Sequence, residues 1–214
     1  MRFRAIKALP ALATAVALTA PLALTGPASA APAEPAAARG TTELQRQIDR
    51  TLANTEGGTQ ISVNEIAWNG GEAIMSFPLP GERKAPPSSL AARKLQAEFT
   101  GVPLSEMGVT AADNCPTQAI GKDWYCFWET KNFEGRRLTW NNSHKSKIYF
   151  SDYNFHNKTS SWSNKGDKTI YVYARTQTGS DASCTKLLWT ESPHTHNSSL
   201  PANLDDRADC FKTS

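Results

Sequence analysis

Trp128-Glu129-Thr130-Lys131-Asn132-Phe133-Glu134-Gly135 is the stretch on which the fold turns: an aromatic residue, four positions, a second aromatic, one position, then glycine. About twenty residues on stands Asn157-Lys158-Thr159-Ser160-Ser161. Around this pair the texture is uniform from Cys115 to the end of the chain. Short runs rich in Tyr, Trp, Phe, Ile and Val alternate with turns of Asn, Ser, Gly and Lys, and strands are predicted at 124–129, 137–140, 147–150, 161–163, 169–174 and 186–190. No helical stripe of comparable strength interrupts them. Fifteen of the nineteen aromatic residues lie between Cys115 and Ser214, which places the main core there. Strands at this spacing predict an all-β sandwich over 115–214, a length sufficient for one stable domain.

Upstream the period changes twice. Leu44, Ile48 and Leu52 recur every four residues and predict a short helix from Thr41 or Thr42 to about Asn54, stopped by Gly57-Gly58. From residue 60, Ile61, Val63 and Ile66 alternate with polar residues. Asn69-Gly70-Gly71 and Ala73-Ile74-Met75-Ser76-Phe77 follow, a β-hairpin pattern whose Asn-Gly supplies positive φ values. Prolines 78, 80, 86 and 87 close it, and a second short helix is predicted at 91–99. Residues 31–110 therefore read as a small α+β accessory region, loosely attached to the sandwich, with a pro-segment as the alternative reading. Its first ten residues are an Ala- and Pro-rich leader.

The chain opens with the three zones of an export signal. Arg2, Arg4 and Lys7 are basic, residues 8–24 are almost wholly Ala, Leu, Val and Thr, and Ala28-Ser29-Ala30 offers small residues for cleavage after position 30. Pro10 and Pro21 break the apolar run, which is shorter than the roughly 20 residues of a membrane span. A secreted, extracellular protein with no membrane association after cleavage is expected. The formal charge of +3 resides entirely in those first thirty residues, so the mature chain is neutral. With Lys and Arg scattered among acids, there is no electrostatic case for nucleic acid. Cys115, Cys126, Cys184 and Cys210 make an even count, which in an exported chain implies two disulfides. Of the three pairings, Cys115–Cys126 with Cys184–Cys210 keeps each bridge local and is preferred. Their spacing lacks the close pairs of a zinc site.

Trp128, Phe133, Gly135 and Ser160 together resemble the Greek-key motif of the βγ-crystallin superfamily. The resemblance implies a folded hairpin in which the glycine adopts a conformation that a Cβ would obstruct, an aromatic packs over the turn, and a later serine ties it down. The chain is more similar still to secreted actinobacterial proteins of peptidase inhibitor family I36. That likeness rests on Cys115-Pro116, on Cys126 flanked by Trp124-Tyr125 and Phe127, on Asn132-Phe133-Glu134-Gly135-Arg136, on Ser151-Asp152-Tyr153 and on the run from Asn157 to Ser161. A second motif is expected to complete a βγ-crystallin-like Greek-key sandwich. It begins at Tyr171-Val172-Tyr173 but lacks the aromatic-x-glycine element, with Thr178 and Ser180 in its place. Its tail, Asp205-Asp206-Arg207-Ala208-Asp209-Cys210, has Asp209 and Cys210 in place of the two hydroxyl residues.

The resemblance implies a monomeric, non-enzymatic inhibitor of an extracellular protease, a metalloproteinase foremost. Candidate inhibitory residues are Thr185 and Lys186, on an expected loop after Cys184, and the turn at 141–145. No cofactor is required. The superfamily's paired loops make calcium a candidate ligand, with Asn157, Ser160, Asp205, Asp206 and Glu129 as donors of the oxygen type that a hard cation takes; His156 stands where an Asn or Asp is usual. The alternative function is a calcium-binding or cell-surface structural module, with Trp140, Trp162 and Trp189 as exposed aromatics for glycan. Glu129, Glu134 and Asp152 are the only carboxylates that suggest a glycosidase-like pair. His194 and His196 form a weak metal signal with no third partner at useful spacing.

Overall fold

The computed structural model describes residues 36–108, 112–118, 124–141, 144–176 and 183–214. The export signal at 1–30, the leader to residue 35, and Thr178 and Ser180 lie outside these residues. Helix α1 spans Ala36–Ala53 and α2 spans Leu90–Thr100. The strands in chain order are β1 (Thr59–Ser62), β2 (Glu65–Trp68), β3 (Ala73–Ser76), β4 (Met107–Gly108), β5 (Thr117–Gln118), β6 (Tyr125–Thr130) and β7 (Glu134–Trp140). They continue with β8 (Ile148–Tyr149), β9 (Ser161–Asn164), β10 (Ile170–Arg175), β11 (Cys184–Glu191), β12 (Thr195–Asn197) and β13 (Cys210–Thr213). No described helix is long and apolar enough to cross a membrane.

Two sheets carry the fold. One runs β1-β2-β3-β7-β6-β9-β12 and the other β11-β10-β13-β8, with a two-stranded ladder of β4 and β5 apart from both. The third strand of each motif crosses to the other motif's sheet: β8 pairs with β13, and β12 pairs with β9. That exchange makes β6–β9 and β10–β13 two interlocked Greek keys, the all-β sandwich expected from the motif. The second key is complete although its sequence is degenerate.

Strand β6 is buried on both faces, and its alternation says why. Tyr125 and Phe127 enter the core between the sheets, where Phe127 meets Phe150 at 5.0 Å and Trp140 meets Phe211 at 4.7 Å, both edge to face. Cys126 and Trp128 point the other way, into a second cluster with Cys115, Trp124 and Phe133. The Cys115–Cys126 disulfide closes this outer layer, and Cys184–Cys210 joins the two strands that flank β10, as preferred from spacing.

The accessory region is not loosely attached. Strand β3 pairs antiparallel with β7 from Ala73 opposite Trp140 to Ser76 opposite Arg137, so β1–β3 extend the first sheet. Leu44 and Ile48 of α1, with Ile66, Trp68, Met75 and Phe77, belong to the same apolar core as Phe127 and Trp140. The helical stripe read from the sequence is therefore real, and it faces a core shared between its own segment and the sandwich. Helix α1 starts at Ala36, earlier than expected, within the alanine-rich stretch that favours helix. Ser89 caps α2 through Oγ, which accepts the Ala92 N–H at 3.2 Å, and Gly101 ends it at φ 70°.

Beneath this junction lies a buried charge. The Arg137 side chain is wholly buried; its Nη2 donates to Ser76 Oγ at 3.1 Å and its Nη1 to the Pro86 carbonyl at 3.0 Å. Ser76 Oγ in turn donates to Glu65 Oε1 at 3.4 Å, and the same oxygen accepts the Ser89 N–H at 3.1 Å. Burial pulls the Arg137 pKa down to about 10, with the charges of Glu65 and Asp113 opposing the fall. Two nitrogens of a guanidinium from the sandwich are thus bonded to groups from the accessory region, while Arg137 Nε is buried with no hydrogen-bond partner among the described residues.

Candidate functional site

The folded hairpin of the first motif sets the geometry of everything near it. Between β6 and β7 the chain turns through Asn132 and Phe133 at φ 61° and 59°, then Gly135 at φ 74°. A Cβ on Gly135 would lie 2.8 Å from Thr130 Oγ1 and 3.1 Å from the Glu129 Cβ, so only glycine fits without a shift. The Phe133 ring packs against Trp128 at 5.0 Å. The hydroxyl that ties the turn belongs to Ser161 and not to Ser160 as expected. Ser161 Oγ donates to the Thr130 carbonyl at 2.8 Å and accepts the Phe133 N–H at 3.2 Å. The correction is one position: Ser161 opens β9 and faces the hairpin, while Ser160 precedes the strand and turns toward the second motif.

The second motif repeats this frame with different chemistry. Ser160 N–H donates to the Trp128 carbonyl at 2.9 Å, and Asp209 N–H donates to the Tyr173 carbonyl at 2.9 Å, which makes Asp209 the counterpart of Ser160. Cys210 then stands where Ser161 stands. Its sulfur is bonded to Cys184, the first residue of β11, so a covalent bridge ties the second hairpin where a serine ties the first.

The two loops cross at the expected calcium positions. Asn157 and Asp206 have matching φ values of 53° and 54°, and their N–H groups reach across reciprocally, to Ala208 O at 2.8 Å and Thr159 O at 3.1 Å. Ser160 Oγ donates to Asp206 Oδ1 at 3.4 Å. Asp205 receives Lys131 Nζ at 3.3 Å on one oxygen, while its Oδ1 is buried with no hydrogen-bond partner. Partial burial and then the adjacent Asp205 charge raise the Asp206 pKa, against the Ser160 hydroxyl and Lys158.

Glu129 does not fit the role of a calcium ligand. Arg136 grips both of its oxygens at 2.9 Å, and Lys158 Nζ lies at 3.5 Å from Oε1. Burial alone would raise its pKa, but these cations outweigh it and hold the carboxyl below its usual range. Glu129 and Glu134 line one cavity, and each is held by a cation. Glu134 is bonded to Arg83 at 3.0 Å, and Asp152 lines a separate cavity of about 640 Å³ with Glu56, Trp68 and Tyr153.

Thr185 and Lys186 are not on a loop; both lie within β11, exposed, directly after the Cys184 bridge. In the 141–145 turn, Asn142 and Ser143 lie outside the described residues. Trp140 and Trp162 are buried, and Trp189 is half-buried with its indole N–H on Glu191 Oε1 at 2.9 Å, so none is an exposed glycan platform. His194 pairs with Asp167 at 3.1 Å while the His196 ring meets Phe133 at 5.9 Å, two separate environments. Among the described residues no group of three His, Cys, Asp or Glu is placed to hold a metal. Sequence reasoning missed Ser161, whose signal was the second serine of Ser160-Ser161, and the cations Lys131, Arg136 and Lys158, whose partners only the fold brings near.

Fold and crossing loops define a double Greek-key β-sandwich. Residues 109–185 match the sequence model of peptidase inhibitor family I36. No curated protein matches the chain significantly. Among solved structures, one from work on the evolution of the eye-lens βγ-crystallin domain fold is 14% identical, covering 50% of this chain and 93% of that one at TM-score 0.35. Two mutant forms of a βγ-crystallin domain from Clostridium beijerinckii are 17% and 19% identical, each covering 42% of this chain and 94% and 96% of their own, both at TM-score 0.31.

Proposed function

We propose that the protein is a secreted proteinase inhibitor that acts by occluding a protease cleft, with metalloproteinases as the first targets. The match of residues 109–185 to the inhibitor family carries this reading. The frame suits the task. Thr185 and Lys186 are exposed, extended and fixed at one end by Cys184–Cys210. An extended segment held in place loses little freedom on entering a cleft, and a hydrolysed bond within it would stay in register. The disulfides are consistent with an extracellular setting. The test is to titrate a panel of secreted metallo- and serine proteinases with mature, disulfide-intact protein. The expected result is a stoichiometric end point with a metalloproteinase; absence of inhibition across the panel would refute the reading.

A second reading, calcium binding without inhibition, draws on the unpartnered Asp205 Oδ1 beside Asp206 and Ser160. Side-chain oxygens of these three residues, with neighbouring carbonyls, are of the type that calcium takes. Millimolar calcium is then expected to raise Tm through binding linkage, and Asp206→Asn to abolish the rise. An unchanged Tm would remove calcium from the account.

A further inference from the structure

Cations that look scattered in the sequence gather on the outer face of the second sheet. Strand β10 sends Ile170, Val172 and Ala174 inward and leaves Tyr171 and Tyr173 half-buried and Arg175 exposed on the other face. Register sets Lys212 opposite Tyr171 and Leu187 opposite Tyr173, with Tyr149 in the row of Cys210. Every tyrosine ring of this face has a cation over it. Lys147 Nζ lies 5.2 Å from the Tyr173 centroid, Lys212 Nζ 5.8 Å from that of Tyr171, and the Arg175 guanidinium 5.9 Å from that of Tyr149.

The outward positions of these strands contribute no carboxylate. Asp209 is buried, with Oδ2 accepting the Arg175 main-chain N–H at 2.8 Å, and Glu191 is turned into the core. Beside this face runs an open edge. β11 is the terminal strand of its sheet, and among the described residues no main-chain hydrogen bond reaches its far side. Leu187, on the same face as the tyrosines, is 52% exposed.

We propose that this face, together with the edge of β11, docks an extended acidic peptide segment of a partner protein. Rings that hold a cation at this distance keep it in place at low entropic cost, so the positive charge is preorganised. The same arrangement argues against a sugar ligand, because the ring faces on which a pyranose would stack are already covered. A peptide alone can use the unpaired N–H and C=O groups of β11 by adding a strand. A second copy of this chain is disfavoured: Lys186 on that edge and the cations of the face would meet their own kind. Three cations on a chain whose net charge beyond residue 30 is zero make no case for a nucleic acid duplex. The surface stands on charge and geometry, whether or not the partner is a protease.

The test uses the whole mature protein, disulfides intact, with poly-L-glutamate as the probe and polygalacturonate as a carboxylate polymer without amides. Poly-L-glutamate is expected to bind, to weaken as salt rises, and to bind the Lys147→Gln/Lys212→Gln double variant at least about tenfold more weakly. Arg175→Gln, whose side chain is exposed, provides a second variant with little risk to folding, and Tm of each confirms the fold. Polygalacturonate is expected to bind at least about tenfold more weakly than poly-L-glutamate. Failure to bind poly-L-glutamate, or binding that the variants retain, overturns the proposal. So does equal or tighter binding of polygalacturonate, which would assign the face to acidic polysaccharide.

Discussion

At the scale of single residues, Gly135 and Glu191 show how position sets cost. Gly135 combines φ 74° with a 2.8 Å approach to Thr130 Oγ1, so a methyl group is opposed by both conformation and contact. Gly135→Ala is expected to lower stability by about 1–3 kcal/mol, measured by urea unfolding; a neutral effect would mean that the hairpin relaxes freely. Burial pushes the Glu191 carboxyl well above its ordinary value of 4.5, with the Trp189 indole N–H pulling the other way. Below the ordinary value both folded and unfolded chains hold the proton, and this contribution to stability is whole. As pH rises, the unfolded chain ionises first, and stability falls until the folded pKa is passed. Glu191→Gln keeps an acceptor for Trp189 and carries no charge. Its Tm should therefore decline less between about pH 5 and 8 than that of the wild type; parallel curves would contradict the buried neutral carboxyl.

At the scale of elements, the accessory region and the Greek keys share one sheet and one core. The link with most at stake is the relay from Arg137 through Ser76 to Glu65, because it ties a buried guanidinium of the sandwich to groups of the accessory region. Arg137→Ala would leave a buried cavity and deprive Ser76 Oγ and the Pro86 carbonyl of their donor, and is expected to cost about 3–5 kcal/mol in urea unfolding. A loss below about 1 kcal/mol would show that the relay is incidental. Individual elements were legible in advance. The stripe of Leu44, Ile48 and Leu52, the hairpin around Asn69-Gly70 and the strand at 169–174 each follow from local sequence. What joins them was not legible. Periodicity says that Ser76 and Arg137 lie on strands, but the pairing of β3 with β7 brings together residues far apart in sequence, and no local pattern encodes it. β12 was missed because Thr-His-Asn carries too little apolar content to read as a strand.

At the scale of the whole molecule, the second Greek key explains how a weak motif still folds. It lacks the serine tether, and Cys210 at that position substitutes a bond to Cys184. In sequence Asp209 and Cys210 depart from the pattern; in the fold they fill its positions by other means. The same reasoning accounts for the one-residue error at Ser160. Two adjacent serines are indistinguishable in sequence, and only the strand start at Ser161 decides which hydroxyl meets the hairpin. Charge was the least legible property. A neutral composition says nothing of where charges sit, and the sandwich sorts Lys147, Arg175 and Lys212 onto one face.

The central claim is that a rigid, disulfide-braced β11 enters a protease cleft. Its most direct measurement is the inhibition constant of the disulfide-intact protein against a thermolysin-like metalloproteinase, compared with Lys186→Glu and with protein whose disulfides are reduced. The account predicts a one-to-one end point for the intact protein, and loss of at least about a hundredfold in affinity for each altered form. Equal inhibition by all three would remove β11 from the mechanism, and no inhibition by the intact protein would contradict the inhibitor reading itself.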